Sequence, residues 1–258
     1  MFFKKNMELM NFILGGVSEC IREYVIIAPC WSPVSVGIEN CSLISKTSCE
    51  VWDCSLDNEK FTYIVSGVGA GNCADIVMAL GNTECKHVLF IGSAGALDSG
   101  INIGDIAIPN GVISAEGATR YLGICLSEDV FGTVYYADRN LHDKLLVCAR
   151  TVVSNMDIRC HDGIGISVES IYSQYRHLQE ICERDCVFID MEASACLAAS
   201  NVTNIECAVI FCISDNTTQN EPLYLVSNEK TSFRKRIRRE VMPALIEKYL
   251  KGETYENK

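Results

Sequence analysis

Apolar positions along this chain fall into two kinds of short run, and the two alternate. Tyr24 to Ala28, Phe61 to Val65, Val88 to Ile91 and Ala208 to Ile213 are continuously apolar or β-branched, the pattern of strands buried on both faces. Cys73 to Leu80, Leu141 to Val152 and Ala193 to Ala199 instead carry helical spacing or small helix-favouring residues. Such alternation predicts an α/β protein in three layers. Cys49 to Asp53 and Phe61 to Val65 read as paired strands around the Leu56-Asp57-Asn58-Glu59 turn, and Cys160 to Ser167 as a turn and strand. Gly92-Ser93-Ala94-Gly95 reads as a turn of almost no side-chain bulk. Ile103 to Pro109 is a turn into a strand that Val112 to Ser114 continue, with Asp105 a structural turn acid. Thr231 is expected to cap a final helix that Pro243 kinks or interrupts. Nothing in the middle resembles a linker, so residues 1–258 read as one domain, in which 1–20 can stand as an N-terminal extension containing a short amphipathic helix.

The stretch from Cys186 to Asn216 places three acids at the ends of apolar elements. Val187 to Ile189, Ala193 to Ala199 and Ala208 to Ile213 predict strand, helix, strand. Asp190 and Glu192 then sit where a strand turns into a helix, and Asp215 just past the carboxyl end of the next strand, where open α/β sheets place ligands. Acids at loop ends are commonly just solvated. Carboxylates flanked by Met and Ala at the mouth of a hydrophobic element lose solvation, which weighs towards function. Gly67, Gly69 and Gly71 precede the helix-like Cys73 to Leu80 and let backbone amides approach an anion there, or simply make a tight turn. A dinucleotide site would want an acid after the following strand, and His87 to Ile91 ends in Gly92-Ser93 instead.

Composition narrows the partners. A net charge of -11 argues against nucleic acid, whose binding needs clustered cations, and favours small-molecule chemistry. The one basic cluster, Arg234-Lys235-Arg236 with Arg238-Arg239, reads as the solvated face of the C-terminal helix. Fifteen cysteines are odd in number and irregular in spacing; Cys73, Cys196, Cys207 and Cys212 fall within apolar runs as small core residues, and no zinc pattern is present. A reducing cytoplasm fits. Glu8 and Asn11 interrupt the first apolar run, which argues against a signal peptide, and no segment approaches membrane-spanning length.

Asp190-Met191-Glu192-Ala193 followed by Ile213-Ser214-Asp215 resembles the nucleoside phosphorylase and nucleosidase superfamily. Ser66-Gly67-Val68-Gly69, Gly92 to Leu97, Ile103-Gly104-Asp105-Ile106 and Glu116-Gly117-Ala118-Thr119 extend the resemblance in the family's order over residues 60–216. It implies a three-layer αβα fold with a mixed, partly barrel-like central sheet. The implied activity is cleavage of a nucleoside's N-glycosidic bond by phosphorolysis, giving free base and ribose 1-phosphate. Inorganic phosphate is the co-substrate, with no other cofactor and no metal. A homodimer or homohexamer is implied, because family sites borrow residues across a subunit interface.

Carried onto matching positions, the resemblance makes Asp215 the catalytic proton donor to the leaving base. Glu192, Met191 and Asp190 become ribose-binding. Ser93, Gly69, Thr119 and Arg120 become phosphate-side residues. Ile171, Tyr172, Gln174 and Arg176 become base-binding, the last two resembling the pyrimidine-reading pair of uridine phosphorylases. The acid after Ser214 favours purines; Gln174, Arg176 and Thr218 to Pro222 lean towards uridine. The chain departs from the family where phosphorylases of the six-subunit type carry two phosphate-holding arginines: it has Cys30-Trp31-Ser32-Pro33 and Phe90. Hydrolysis by a nucleosidase, uridine phosphorylase-like specificity and non-catalytic nucleoside binding therefore stay open beside phosphorolysis.

Overall fold

The computed structural model describes residues 7–123 and 125–251; Met1 to Asn6 of the expected N-terminal extension lie outside the described residues. Ten strands form one sheet: β1 (Tyr24–Ala28), β2 (Cys41–Lys46), β3 (Glu50–Leu56), β4 (Glu59–Val65), β5 (His87–Ala96), β6 (Ile106–Ala115), β7 (Val134–Tyr136), β8 (Cys160–Val168), β9 (Phe188–Asp190) and β10 (Glu206–Asn216). The hydrogen-bonded order β10-β6-β8-β9-β5 closes on itself because β10 also pairs with β5. That ring of five strands is the barrel the resemblance implies, and β1, β4, β3 and β2 continue the sheet outward from β5. The sheet is mixed: β10 runs parallel to β5, whereas β9 runs antiparallel to it.

Helices cover both faces. α1 (Met7–Ile13), α2 (Ala70–Leu80) and α6 (Ala193–Thr203) share one core with Val88, Phe90, Val209 and Phe211. α3 (Arg139–Val153) and α7 (Asn228–Lys251) share the other with Leu89, Ile91, Ala208 and Ile210. Successive strand residues therefore feed opposite layers, which is why β5 and β10 read as unbroken apolar runs. A third cluster, including Ile113, Ile166 and Ile189, is contributed by the ring strands β6, β8 and β9. Two short helices, α4 (Ile171–Arg176) and α5 (Leu178–Cys182), lie between β8 and β9.

Several elements differ from their expected form. β5 runs straight through Gly92 to Gly95, where a turn was expected. The small residues serve close packing within a strand: a Cβ on Gly92 would lie 3.1 Å from the Phe90 ring, and one on Gly95 3.0 Å from Asp215 Oδ2. β10 likewise extends past Asp215 rather than ending before it. β2, which pairs with β3, was not expected; four of its six residues are exposed, so neither apolar run nor clean alternation marks it. The β3–β4 hairpin turns on Asp57 and Asn58, both at positive φ, as expected of such a loop. Helix α7 begins at Asn228, so Thr231 lies inside it, and the Ser227 hydroxyl accepts from the Lys230 amide at 3.2 Å instead. Pro243 does not interrupt α7. It removes the amide that Arg239 C=O would bond, and that carbonyl lies against Gly37, where a Cβ would approach it to 2.6 Å.

Candidate active site

A cavity of about 190 Å³ opens at the carboxyl ends of β1, β5 and β10, where β9 runs into α6. Asp190, Met191 and Glu192 form one wall, and Ser214 and Asp215 another. Ser93 and the two glycines of β5 give the floor, with Phe90 and Ile189 as apolar lining. Pro29 and Cys30 enter from the loop after β1. Val68, Ile171 and Leu223 stand at its edge, each at least two-fifths exposed.

Asp215 is aimed into this space by an irregularity in the β10–β5 ladder. Ile213 pairs with Ala94 and Asp215 with Gly95, so Ser214 is an extra residue on β10. Such a bulge redirects the side chains that follow it. The Asp215 side chain is buried, and its Oδ1 accepts from the Ser214 hydroxyl at 2.5 Å. Burial raises its pKa above the usual carboxylate value, a rise opposed by the Ser214 hydrogen bond, the charge of Arg234 and the Leu223 amide. Asn216 beside it is a structural anchor: its amide donates to Asp98 O and Ile101 O at 2.8 and 2.7 Å, and its oxygen accepts from the 217–219 turn.

Asp190 and Glu192 form the second pole. One oxygen of Asp190 accepts the amides of Glu192 and Ala193 at 3.0 and 2.7 Å, and the other accepts the Ser167 hydroxyl. Asp190 thus caps α6 and holds the turn that carries Glu192. The amino end of α6 is consequently not free to hold an anion. Glu192 reaches across the cavity to the start of α2, where its Oε1 accepts from the Gly69 amide at 2.7 Å. Burial raises both carboxyls, Asp190 to about 6 and Glu192 to about 7. The nearby negative charge of Glu116 adds to the first rise and that of Asp190 to the second.

Of the sequence-expected residues, the cavity brings together Asp215, Glu192, Met191, Asp190, Ser93, Ile171 and Gln174. Gly69 borders it through its bond to Glu192, which takes the amide expected to meet phosphate. Thr119 is buried away from it, bonded to Ser114 and Glu116. Arg120 is half exposed and directed at Asp129, 3.8 Å away. Tyr172 and Arg176 are exposed on α4. Residues two apart on a helix point to nearly opposite sides, so α4 turns Gln174 inward and Arg176 outward; the pair would share a face only in an extended segment. Sequence reasoning missed Leu223, which follows Pro222 in a stretch with no periodic pattern, and Ser167, whose role depends on a partner far along the chain. Among the described residues no Lys or Arg lines the cavity, and no group of three or more His, Cys, Asp or Glu could hold a metal. Cys73, Cys196, Cys207 and Cys212 are buried free thiols, as their apolar runs led one to expect. No helix among the described residues is long and apolar enough to cross a membrane.

Comparison with known proteins agrees with this architecture. A purine nucleoside phosphorylase from Toxoplasma gondii superposes with a TM-score of 0.71 at 16% identity, covering 90% of this chain and 93% of that one. A uridine phosphorylase from Vibrio fischeri gives 0.70 at 21% identity, covering 92% and 99%. A 5'-methylthioadenosine/S-adenosylhomocysteine nucleosidase from Staphylococcus carnosus is 29% identical over 143 residues, which are 54% of this chain and 61% of the length of that relative. The model of the phosphorylase superfamily matches residues 41–251, so this chain belongs to the phosphorylase superfamily.

Proposed function

We propose that the protein is an enzyme that cleaves the N-glycosidic bond of a nucleoside, with Asp215 donating a proton to the departing base and Glu192 holding the ribose hydroxyls. The observation that carries this reading is the placement of both carboxyls in one small cavity, each with its pKa raised by burial. A base leaves poorly as an anion, so a carboxyl kept protonated beside it lowers the barrier. Negative charge on the sugar side favours the oxocarbenium-like transition state. Met191 lies under the sugar, and Ile171, Leu223 and Gln174 form the base side. The acid at position 215 supports a purine.

For the acceptor, water is the better supported reading. Phosphate would enter a cavity that three acids line and no Lys or Arg lines among the described residues. Its expected supports are spent elsewhere: the Gly69 amide on Glu192, Thr119 in a buried network, and Arg120 near Asp129. A dianion held by Ser93 and backbone amides alone lacks the charge-assisted donors such binding uses. The nucleosidase relative from Staphylococcus carnosus fits this reading, and the phosphorylase neighbours fit the other. Incubation with a purine nucleoside, with and without phosphate, separates them. Free ribose at a phosphate-independent rate supports hydrolysis, and ribose 1-phosphate formed only with phosphate establishes phosphorolysis.

A further inference from the structure

A chain of buried polar side chains runs from the cavity wall into the protein behind it. Ser167 on β8 donates its hydroxyl hydrogen to Asp190 and accepts the amide of Ser194 at 2.9 Å. The Ser194 hydroxyl donates to Glu116 Oε1 at 3.0 Å, and the Ser114 hydroxyl donates to the same oxygen at 3.0 Å. Glu116 Oε2 takes the amides of Ala118 and Thr119. Ser114, Glu116, Ser167, Asp190 and Ser194 are all buried, so the bonds among them are shielded from water. At the first turn of α6 the amides of Glu192, Ala193 and Ser194 are all claimed, two by Asp190 and the third by Ser167. Ser167 thus grips both the cap and the helix it caps. It does not line the cavity.

We infer that Ser167 is a positioning residue for Glu192, acting through the Asp190 cap at the start of α6. Its hydroxyl holds the Asp190 carboxyl plane turned so that one oxygen faces the helix amides, and so fixes the turn from which Glu192 reaches Gly69. It also sets the charge that Glu192 meets. A hydroxyl donated to a carboxylate favours the ionised form, and an ionised Asp190 disfavours ionisation of Glu192 beside it. The other ionisable groups around the pair are Glu116 behind Ser194, Cys30 on the β1 loop and Cys73 on α2. None of them replaces the Ser167 hydrogen bond to Asp190. What Glu192 does with its charge rests on the nucleoside-cleaving reading of the site; the hydrogen-bonded geometry does not.

The test is a pH titration of side-chain carboxyl carbons by NMR, with signals assigned through Asp190→Asn and Glu192→Gln. In Ser167→Ala the Asp190 midpoint is expected to rise and the Glu192 midpoint to fall, each by on the order of one pH unit. Ser167→Thr keeps the hydroxyl and is expected to hold both near wild type. If Ser167→Ala does not fold, the near-isosteric Ser167→Cys, a weaker donor, takes its place with the same expected directions. Midpoints that stay put, or that move in the same direction, overturn the inference. Absence of turnover on every nucleoside would instead overturn the proposed function and leave these midpoints to decide the role of Ser167.

Discussion

Glu192 Oε1 accepts a hydrogen bond from the amide of Gly69 at 2.7 Å, joining the turn before α6 to the turn before α2. The glycine-rich segment therefore offers a donor that the protein's own carboxylate occupies. Gly69 holds φ 117° and ψ 138°, a conformation that side-chain-bearing residues avoid, although an added Cβ would meet nothing within 4 Å. Gly69→Ala should cost about 1–3 kcal/mol through the backbone alone. Denaturant midpoints measure that loss, and KM for the nucleoside should rise as Glu192 loses its fixed position.

Asp215→Asn keeps the size of the side chain but supplies no acidic proton. Turnover should fall by about 10²- to 10⁴-fold, with little change in affinity for an unreactive nucleoside analogue. Steady-state kinetics and calorimetric binding on the same preparation check both halves of this expectation.

Gly95→Ala tests the packing beneath Asp215. The new Cβ would sit 3.0 Å from both Asp215 Oδ2 and Ile189 Cγ2, so the carboxyl must shift or the strands must part. A stability loss of about 1–3 kcal/mol is expected, together with a fall in kcat. An unchanged kcat would show that the position of Asp215 is not critical.

The buried carboxyl of Glu192 also shapes stability against pH. Its folded pKa, about 7, lies above the ordinary value of 4.5, so the folded state binds more protons than the unfolded state between those values. Stability is then greatest below about 4.5 on this account and declines as pH rises towards 7. Glu192→Gln should flatten the decline, gaining on the order of 2 kcal/mol over the native residue above pH 7. Urea denaturation of both proteins at pH 5 and pH 8 measures the difference.

Gln174→Ala should raise KM by about tenfold if Gln174, which lines the cavity, meets the base as proposed. Arg176→Ala should change kinetics by no more than about twofold, because Arg176 lies on the exposed face of α4. Equal effects would place both residues at the base.

Much of this fold was legible because apolar runs report burial directly: β1, β10 and α6 lie where Tyr24 to Ala28, Ala208 to Ile213 and Ala193 to Ala199 place them. Burial patterns could not tell a glycine-rich strand from a turn. Gly92 to Gly95 stay in β5 because β9 and β10 both bond to that segment, a tertiary fact absent from local sequence. At the site, Asp190, Glu192 and Asp215 were legible from their places at element ends. The direction in which each points was not. Asp190 turned back to cap α6, and Gln174 parted from Arg176, because helix geometry and buried amides decided their orientation. Ser167 carried no signal at all, since its partners are 23 and 27 positions away.

The central claim is that the cavity holding Asp215 and Glu192 breaks a nucleoside's bond to its base. Chromatographic separation of free base from nucleoside, across a panel of purine and pyrimidine nucleosides, tests it most directly. The account predicts base release from at least one purine nucleoside by the wild-type protein, reduced about 10²-fold or more by Asp215→Asn. Release of no base from any nucleoside, or equal release by the variant, would contradict it.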